Sequence, residues 1–321
     1  MDANTLALLR ESLRSLLESD STNVVAGLDD LGWDDVVVED EAAATQLLFT
    51  EQGRAATASR ALDFVIARAM YGDDHAIAAT APIVYPLNST IPMSRADSST
   101  LVVDGVLLAD APGEADLLVP VCGPNGVVLA TVEVGSNLVR RNVEGFDPAA
   151  RLVHISGRID SGYTLVETSA TWEEIRSAAH RALASELIGA GRAMLELAVL
   201  QISERVQFNR PIGANQSPRH RLAEAHVALS AAQNLVDQAW TVGTPWASAA
   251  AKAFAGSAVD VTSRACLQAC GAIGLTFEHR LSTYVRRCTV LDALLGGWRE
   301  QSRKLGAELL RTRSVPTVAG L

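Results

Sequence analysis

Lysine is almost missing from this sequence: Lys252 and Lys304 are the only two, and the rest of the positive charge is arginine. Aromatic residues make up 5% of the chain, and no tryptophan stands between Trp33 and Trp172. With so few cations the 321 residues carry a net charge of -10. That balance excludes a general nucleic-acid or anionic-membrane surface, because binding to such polyanions draws its affinity from clustered cations. Local arginine clusters still leave room for a phosphorylated small molecule. The four cysteines, Cys122, Cys266, Cys270 and Cys288, are too few and too irregular for a disulfide framework. Cys266 and Cys270 share a helix face, but no histidine or carboxylate pair completes a ligand set, so no metal site is expected and the thiols read as buried and free. No apolar run approaches the roughly 18 residues that nominate a membrane span. Residues 1–12 carry Asp2 and Glu11 rather than a basic start and an apolar core. A soluble, cytoplasmic protein is the expectation.

What the sequence does hold is apolar patterning in three zones, with expected boundaries at 1–75, 76–165 and 166–321. In the first, Leu6, Leu9, Leu13 and Leu16 mark one helix, and Leu47, Leu48, Ala55 and the run from Leu62 to Ala69 mark others. Between them, Leu28 to Trp33 reads as a helix end with a Gly32 stop, and Val36, Val37 and Val38 as an extended connection. The second zone changes to short β-rich runs, 83–85, 101–107, 117–121, 127–134 and 151–155, separated by turn-forming pieces such as Gly123-Pro124-Asn125-Gly126. Their spacing suits a small antiparallel barrel or sandwich. In the third zone helical periodicity returns at length. Stripes running through Leu183 and Leu197, Leu222 and Val236, Phe254 and Ala265, and Leu291 and Leu309 predict a four-helix bundle. The fold class is therefore α+β: an N-terminal helical domain, a middle β domain and a C-terminal bundle.

Two segments carry more specific information. Arg205-Val206-Gln207-Phe208-Asn209-Arg210-Pro211-Ile212, with Gln216 four residues on, resembles the R-x-Q-F-G-x-P-I-x-x-x-Q segment of acyl-CoA dehydrogenases. Gln268-Ala269-Cys270-Gly271-Ala272-Ile273-Gly274 is similar to the Q-x-x-G-G-x-G element of the same family. The resemblance covers most of the chain and is strongest from Ile202 to Arg287. It implies the helical, β, helical order read above from periodicity, and it implies FAD as cofactor and an acyl-CoA thioester as substrate. By the same resemblance Arg205 contacts the FAD pyrophosphate of a neighbouring subunit, Gln207 lies beside it, Gln216 and Gln268 reach the cofactor, and Gly271 permits close backbone approach. Phe208 and Ile212 complete the motif. A planar, permanently charged guanidinium suits a pyrophosphate better than an ammonium.

The partner half of the chemistry is missing. Leu294-Leu295-Gly296-Gly297 falls where many members read Tyr-Glu-Gly-Thr, so Leu295 occupies the position of the general base; in another branch the base position matches Ala179. Neither a leucine nor an alanine accepts a proton. Asp292 is the best substitute nearby, with Glu300 behind it. In the middle zone Ala79-Thr80-Ala81-Pro82 is the nearest stand-in for the segment against which the flavin ring packs, and no Trp-Ile-Thr-like strand follows. The losses fall on one side of the cofactor. This pattern resembles the short, base-lacking subunit of the heterotetrameric (α2β2) steroid acyl-CoA dehydrogenases of actinobacteria. It implies a homologous catalytic subunit as partner, electron-transfer flavoprotein as electron acceptor, and a steroid-derived thioester as substrate. Two other readings stay open: a self-sufficient homotetramer with Asp292 as a relocated base, and a non-catalytic scaffold or CoA-thioester-binding subunit.

Overall fold

The computed structural model describes all residues except 20–23, 73–79, 98–99, 110, 112–114, 124–125, 134, 136, 167–169, 208 and 317–321. The N-terminal zone folds as five helices, α1 (Ala3–Ser19), α2 (Val24–Asp30), α3 (Trp33–Glu39), α4 (Glu41–Ala55) and α5 (Ala61–Tyr71). The expected extended connection after Gly32 is a helix instead. Gly32 turns the chain in the left-handed region at φ 64°, and Trp33 and Val37, one helical turn apart, are both buried. Burial of that pair overrides the extended preference of three consecutive valines. Asp40 then starts α4 by accepting from the Ala43 amide at 3.0 Å.

The middle zone is one seven-stranded sheet, β1 (Arg95–Asp97), β2 (Thr100–Leu107), β3 (Leu117–Gly123), β4 (Gly126–Val132), β5 (Leu138–Asn142), β6 (Val153–Ile159) and β7 (Tyr163–Val166), in the order β5-β6-β2-β1-β3-β4-β7. All pairings are antiparallel except β1 with β3, which run parallel through Arg95 and Cys122. The sequence pattern did not reveal β1, β5 or β7, whose runs of three to five residues are too short for alternation to register. Residues 83–85, read as a strand, make only isolated bridges, Ile83 to Leu118 and Tyr85 to Val106. Alternation along the strands sorts the apolar side chains by face. Leu101, Val103, Val119, Val121 and Ile155 form the sheet's own core. Val106, Leu118 and Leu129 point the other way, into a larger core shared with the N-terminal helices and the C-terminal bundle.

The C-terminal zone begins with α6 (Trp172–Glu204), the longest helix at 33 residues, followed by α7 (Gln216–Val242), α8 (Pro245–Cys270), α9 (Arg280–Ala293) and α10 (Trp298–Thr312). The fourth predicted stripe is thus two helices. The break falls at Leu294–Gly297, where Leu295 and Gly296 both take positive φ, 56° and 95°. Pro218 lies in the first turn of α7, where a missing N–H leaves no helical bond unmade. Thr171 opens α6 with a reciprocal cap: its hydroxyl accepts from the Glu174 amide at 3.3 Å while its own amide donates to the Glu174 carboxylate at 2.8 Å. No helix is long and apolar enough to cross a membrane, among the described residues. Changing Thr171 to Ala removes the cap, and thermal or urea unfolding should register a loss of about 1 kcal/mol.

Candidate functional site

Two short reversals decide where the chemistry-bearing residues meet. Residues 205–215 join α6 to α7 and Gly243-Thr244 joins α7 to α8, so α7 runs back along α6 and α8 runs forward again. The C-terminal ends of α6 and α8 and the N-terminal end of α7 therefore lie at one end of the bundle. Arg205 is the residue that closes α6, its amide donating to Gln201 O at 3.0 Å. Its guanidinium reaches across to Cys270 O, the end of α8, at 3.5 Å. Helix C-termini carry partial negative charge, and a guanidinium set against two of them is held where it is.

Gly271 is the next link. It sits at φ 71° and ψ -154°, and a side chain placed there would meet Arg205 Nη1 at 3.9 Å. The glycine is needed for its conformation first and for space second. After Arg205, β8 (Val206–Gln207) and β9 (Arg210–Pro211) form a two-stranded hairpin. Asn209, which stands where the family motif has glycine, turns it at φ 62°, a conformation asparagine tolerates better than most residues. Phe208 lies outside the described residues. Ile212 is half-buried against the bundle, and its amide donates to Arg205 O at 2.9 Å. Gln207, Gln216 and Gln268 are exposed, as is Arg205 itself. Around them Val206, Ile273, Leu275 and Phe277 are uncovered too, the last two 68% and 81% exposed. Such a concentration of bare apolar side chains beside polar hands is characteristic of a surface that another molecule covers.

The second cluster surrounds Leu295. Leu295 and Ala179, at the two positions where the resemblance placed a base, are each 0% exposed and enclosed in hydrocarbon. Asp292 does not face a free space: both carboxylate oxygens accept from the Trp298 amide, at 3.0 and 3.2 Å, and cap α10. Burial raises its carboxyl above the ordinary value, partly opposed by the Lys252 ammonium. Three residues for which the sequence suggested no role hold the turn together. Lys252, fully buried, donates to Asp292 O at 2.7 Å and Gly296 O at 2.6 Å. Gln301 donates to Gly296 O at 3.0 Å. His180 Nε2 lies 3.2 Å from Leu295 O. Burial, with Lys252 and Arg176 nearby, pushes His180 well below the usual histidine range, so it is neutral. Burial likewise pushes the Lys252 ammonium down to about 8. The available signal was the break that Lys252 makes in the alanine-rich run 249–255.

Behind Leu294 a cavity of about 30 Å3 is lined by Gln52, Ser59, Leu183 and Glu186, with Arg287 at its wall. That is room for a single water molecule. Arg287 is tied to Asp147 at 2.8 Å. Glu186 lies seven residues beyond Ala179 on α6, two turns along nearly the same face. Burial pushes its carboxyl from 4.5 up to about 7, against the lowering effect of a Gln52 hydrogen bond and the Arg287 charge. A carboxyl raised in the folded state favours folding fully below its unfolded value, and that contribution is lost as pH climbs through the folded value. Unfolding free energies measured from pH 4.5 to 7 should therefore fall for the native chain relative to Glu186→Gln by up to roughly 3 kcal/mol. Asp63, raised to about 6 by burial, adds a slope common to both proteins that cancels in the comparison.

With this geometry in place, the similarities to known proteins are informative. Residues 172–310, α6 through most of α10, match the family model of the acyl-CoA dehydrogenase C-terminal domain. By sequence it is similar to acyl-CoA dehydrogenase IpdE2 of Mycolicibacterium smegmatis, 36% identical over 127 residues, which are 40% of this chain and 41% of that protein. IpdE2 of Mycobacterium tuberculosis is 37% identical over 127 residues, 40% of each chain. The match thus spans about two fifths of the length of these curated relatives. Among solved structures, the Tcur3481-Tcur3483 steroid ACAD superposes with a TM-score of 0.78 at 19% identity, covering 97% of this chain and 99% of that one. The ChsE4-ChsE5 complex from Mycobacterium tuberculosis gives 0.75 at 15% identity, covering 99% of both. Butyryl-CoA dehydrogenase of Megasphaera elsdenii gives 0.72 at 15% identity, covering 97% and 100%. At such identities the likeness is one of fold, and it extends the acyl-CoA dehydrogenase architecture beyond the C-terminal domain to nearly the whole chain.

Proposed function

We propose that this chain is the base-lacking subunit of a heteromeric FAD-dependent acyl-CoA dehydrogenase, and that it completes the FAD site of a homologous catalytic subunit. The observation that carries the reading is the division of the chain into two ends. Arg205, Gln207, Gln216 and Gln268 are exposed together at one end of the bundle, ringed by uncovered apolar side chains. Leu295 and Ala179, where a base would stand, are sealed in hydrocarbon, and Asp292 is spent on the α10 cap.

The residues at the exposed end fit a dinucleotide. Among the described residues the Arg205 guanidinium donates one long bond, to Cys270 O at 3.5 Å, which leaves its other N–H groups for a pyrophosphate. Gln216 and Gln268 offer amide donors and acceptors from either side, and Gly271 keeps the backbone bare beside them. FAD, when bound, supplies the hydride acceptor for α,β-dehydrogenation. This chain's own part is to neutralise and orient the cofactor and to cover it from water, while the partner's carboxylate takes the α-proton. The names of its relatives favour a steroid-derived acyl-CoA as substrate: the neighbours in fold include a steroid ACAD and a complex of two differently named chains. Electron-transfer flavoprotein is the natural acceptor in this scheme. The capping role of Asp292 weighs against a self-sufficient homotetramer.

Co-expression with a base-bearing homologue should yield a yellow complex. Arg205→Ala should leave the complex intact by mass while weakening FAD retention about 10- to 100-fold, the equivalent of one lost charge-assisted hydrogen bond. A yellow, active oligomer formed by this chain alone would defeat the reading, and unchanged flavin content in the Arg205 variant would reduce the chain to a scaffold.

A further inference from the structure

We infer that residues 86–91 are a latch that holds this chain's own acyl pocket shut, so that neither a flavin ring nor a thioester enters between the sheet domain and the Leu295 turn. The segment leaves the middle domain and lies directly on the α9–α10 turn, backbone against backbone. Asn88 N donates to Ala293 O at 2.8 Å, Leu295 N donates to Pro86 O at 3.1 Å, and Leu87 bridges Leu294 in antiparallel fashion. Hydrogen-bonded backbones of this kind lie about 4.8 Å apart. A planar ring or an acyl group between the two layers needs about 7 Å, twice a van der Waals contact of ~3.5 Å. The two arrangements exclude each other.

Side chains from the bundle fasten the latch at Thr90. The Thr90 carbonyl accepts from Trp172 Nε1 at 3.4 Å and from Arg176 Nη1 at 3.0 Å. The Lys304 ammonium donates to its hydroxyl and is itself braced by Glu300 at 2.7 Å. Gly296, at φ 95°, lets Thr90 settle, because a methyl group there would collide with Thr90 Cγ2. Behind the latch Leu295 is fully buried at the position expected for a base, and a cavity of about 30 Å3 lies beside Leu294. Both lysines of the chain act here: Lys252 fixes the turn from below and Lys304 holds the latch from above. The ligand excluded is the acyl thioester of the proposed function; the space behind the latch is walled by Leu62, Leu108, Leu183 and Leu291 together with Gln52, Ser59, Glu186 and Arg287. The latch does not rest on the flavin role of Arg205, which sits at the far end of α6.

Hydrogen exchange of the full chain, read by mass spectrometry, tests it without any ligand. In the native chain the amides of Asn88 and Leu295 should exchange as slowly as those in the middle of α6. In Lys304→Ala and Thr90→Ala, peptides covering 86–91 and 293–297 should exchange about tenfold faster or more, the loss of one charge-assisted hydrogen bond, with α6 unchanged. Octanoyl-CoA, used as the probe thioester, should leave exchange at 293–297 of the native chain unaltered. Exchange of 86–91 at the rate of an open loop in the native chain, no acceleration in the variants, or protection of 293–297 by octanoyl-CoA would each overturn the latch. None of these readings changes if Arg205 proves not to touch FAD.

Discussion

A buried ammonium fixes the part of this molecule on which its functional reading turns. Helix α9 ends with carbonyls that have no partner further along the helix, and Lys252 is buried beneath them with bonds to Asp292 O and Gly296 O. A cation at a helix C-terminus is favourable, and here it replaces the water that the carbonyls would otherwise need. Burial lowers the Lys252 pKa to about 8, which leaves the amine mostly protonated near neutrality and able to donate to both. With those carbonyls held, the chain can turn through Leu295 in a left-handed conformation that a leucine rarely adopts. The strain is tolerated because the packed side chain and the surrounding bonds overdetermine it. The same turn sets the start of α10 through Asp292, and it gives residues 86–91 a surface to lie on.

The other end of the bundle obeys a different constraint. There the helices stop and their ends are left open to solvent, with Arg205 drawn between two C-termini and glutamines on the adjoining turns. Leu275 and Phe277 stay largely exposed, although Arg286 stacks over the Phe277 ring at 4.4 Å. One end of the bundle is thus enclosed by the chain's own contacts and the other is exposed.

Much of this was legible from residue order. Helical and strand zones were readable because 3.6-residue and two-residue periods persist over long segments. The 205–216 motif was readable because a tight hairpin, a helix stop and a helix start impose fixed spacings on Arg205, Pro211 and Gln216. The 36–40 segment was misread because a run of valines looks extended until Trp33 and Val37 are buried as a pair. The last stripe was misread as a single helix because Leu291, Leu294, Leu305 and Leu309 keep nearly the same period across a break that a buried lysine stabilises from another helix.

By itself, then, the sequence determined the class of fold, the chemical identity of the exposed set, and the absence of a carboxylate at positions 179 and 295, since these depend on local periodicity, spacing and residue type. Only the tertiary structure decided that Asp292 caps a helix instead of facing a pocket, that Lys252, His180 and Gln301 converge on one turn, and that residues 86–91 close against Leu294. Those facts rest on contacts between segments separated by tens to hundreds of residues, and no local period or motif encodes which distant carbonyl a buried side chain will meet.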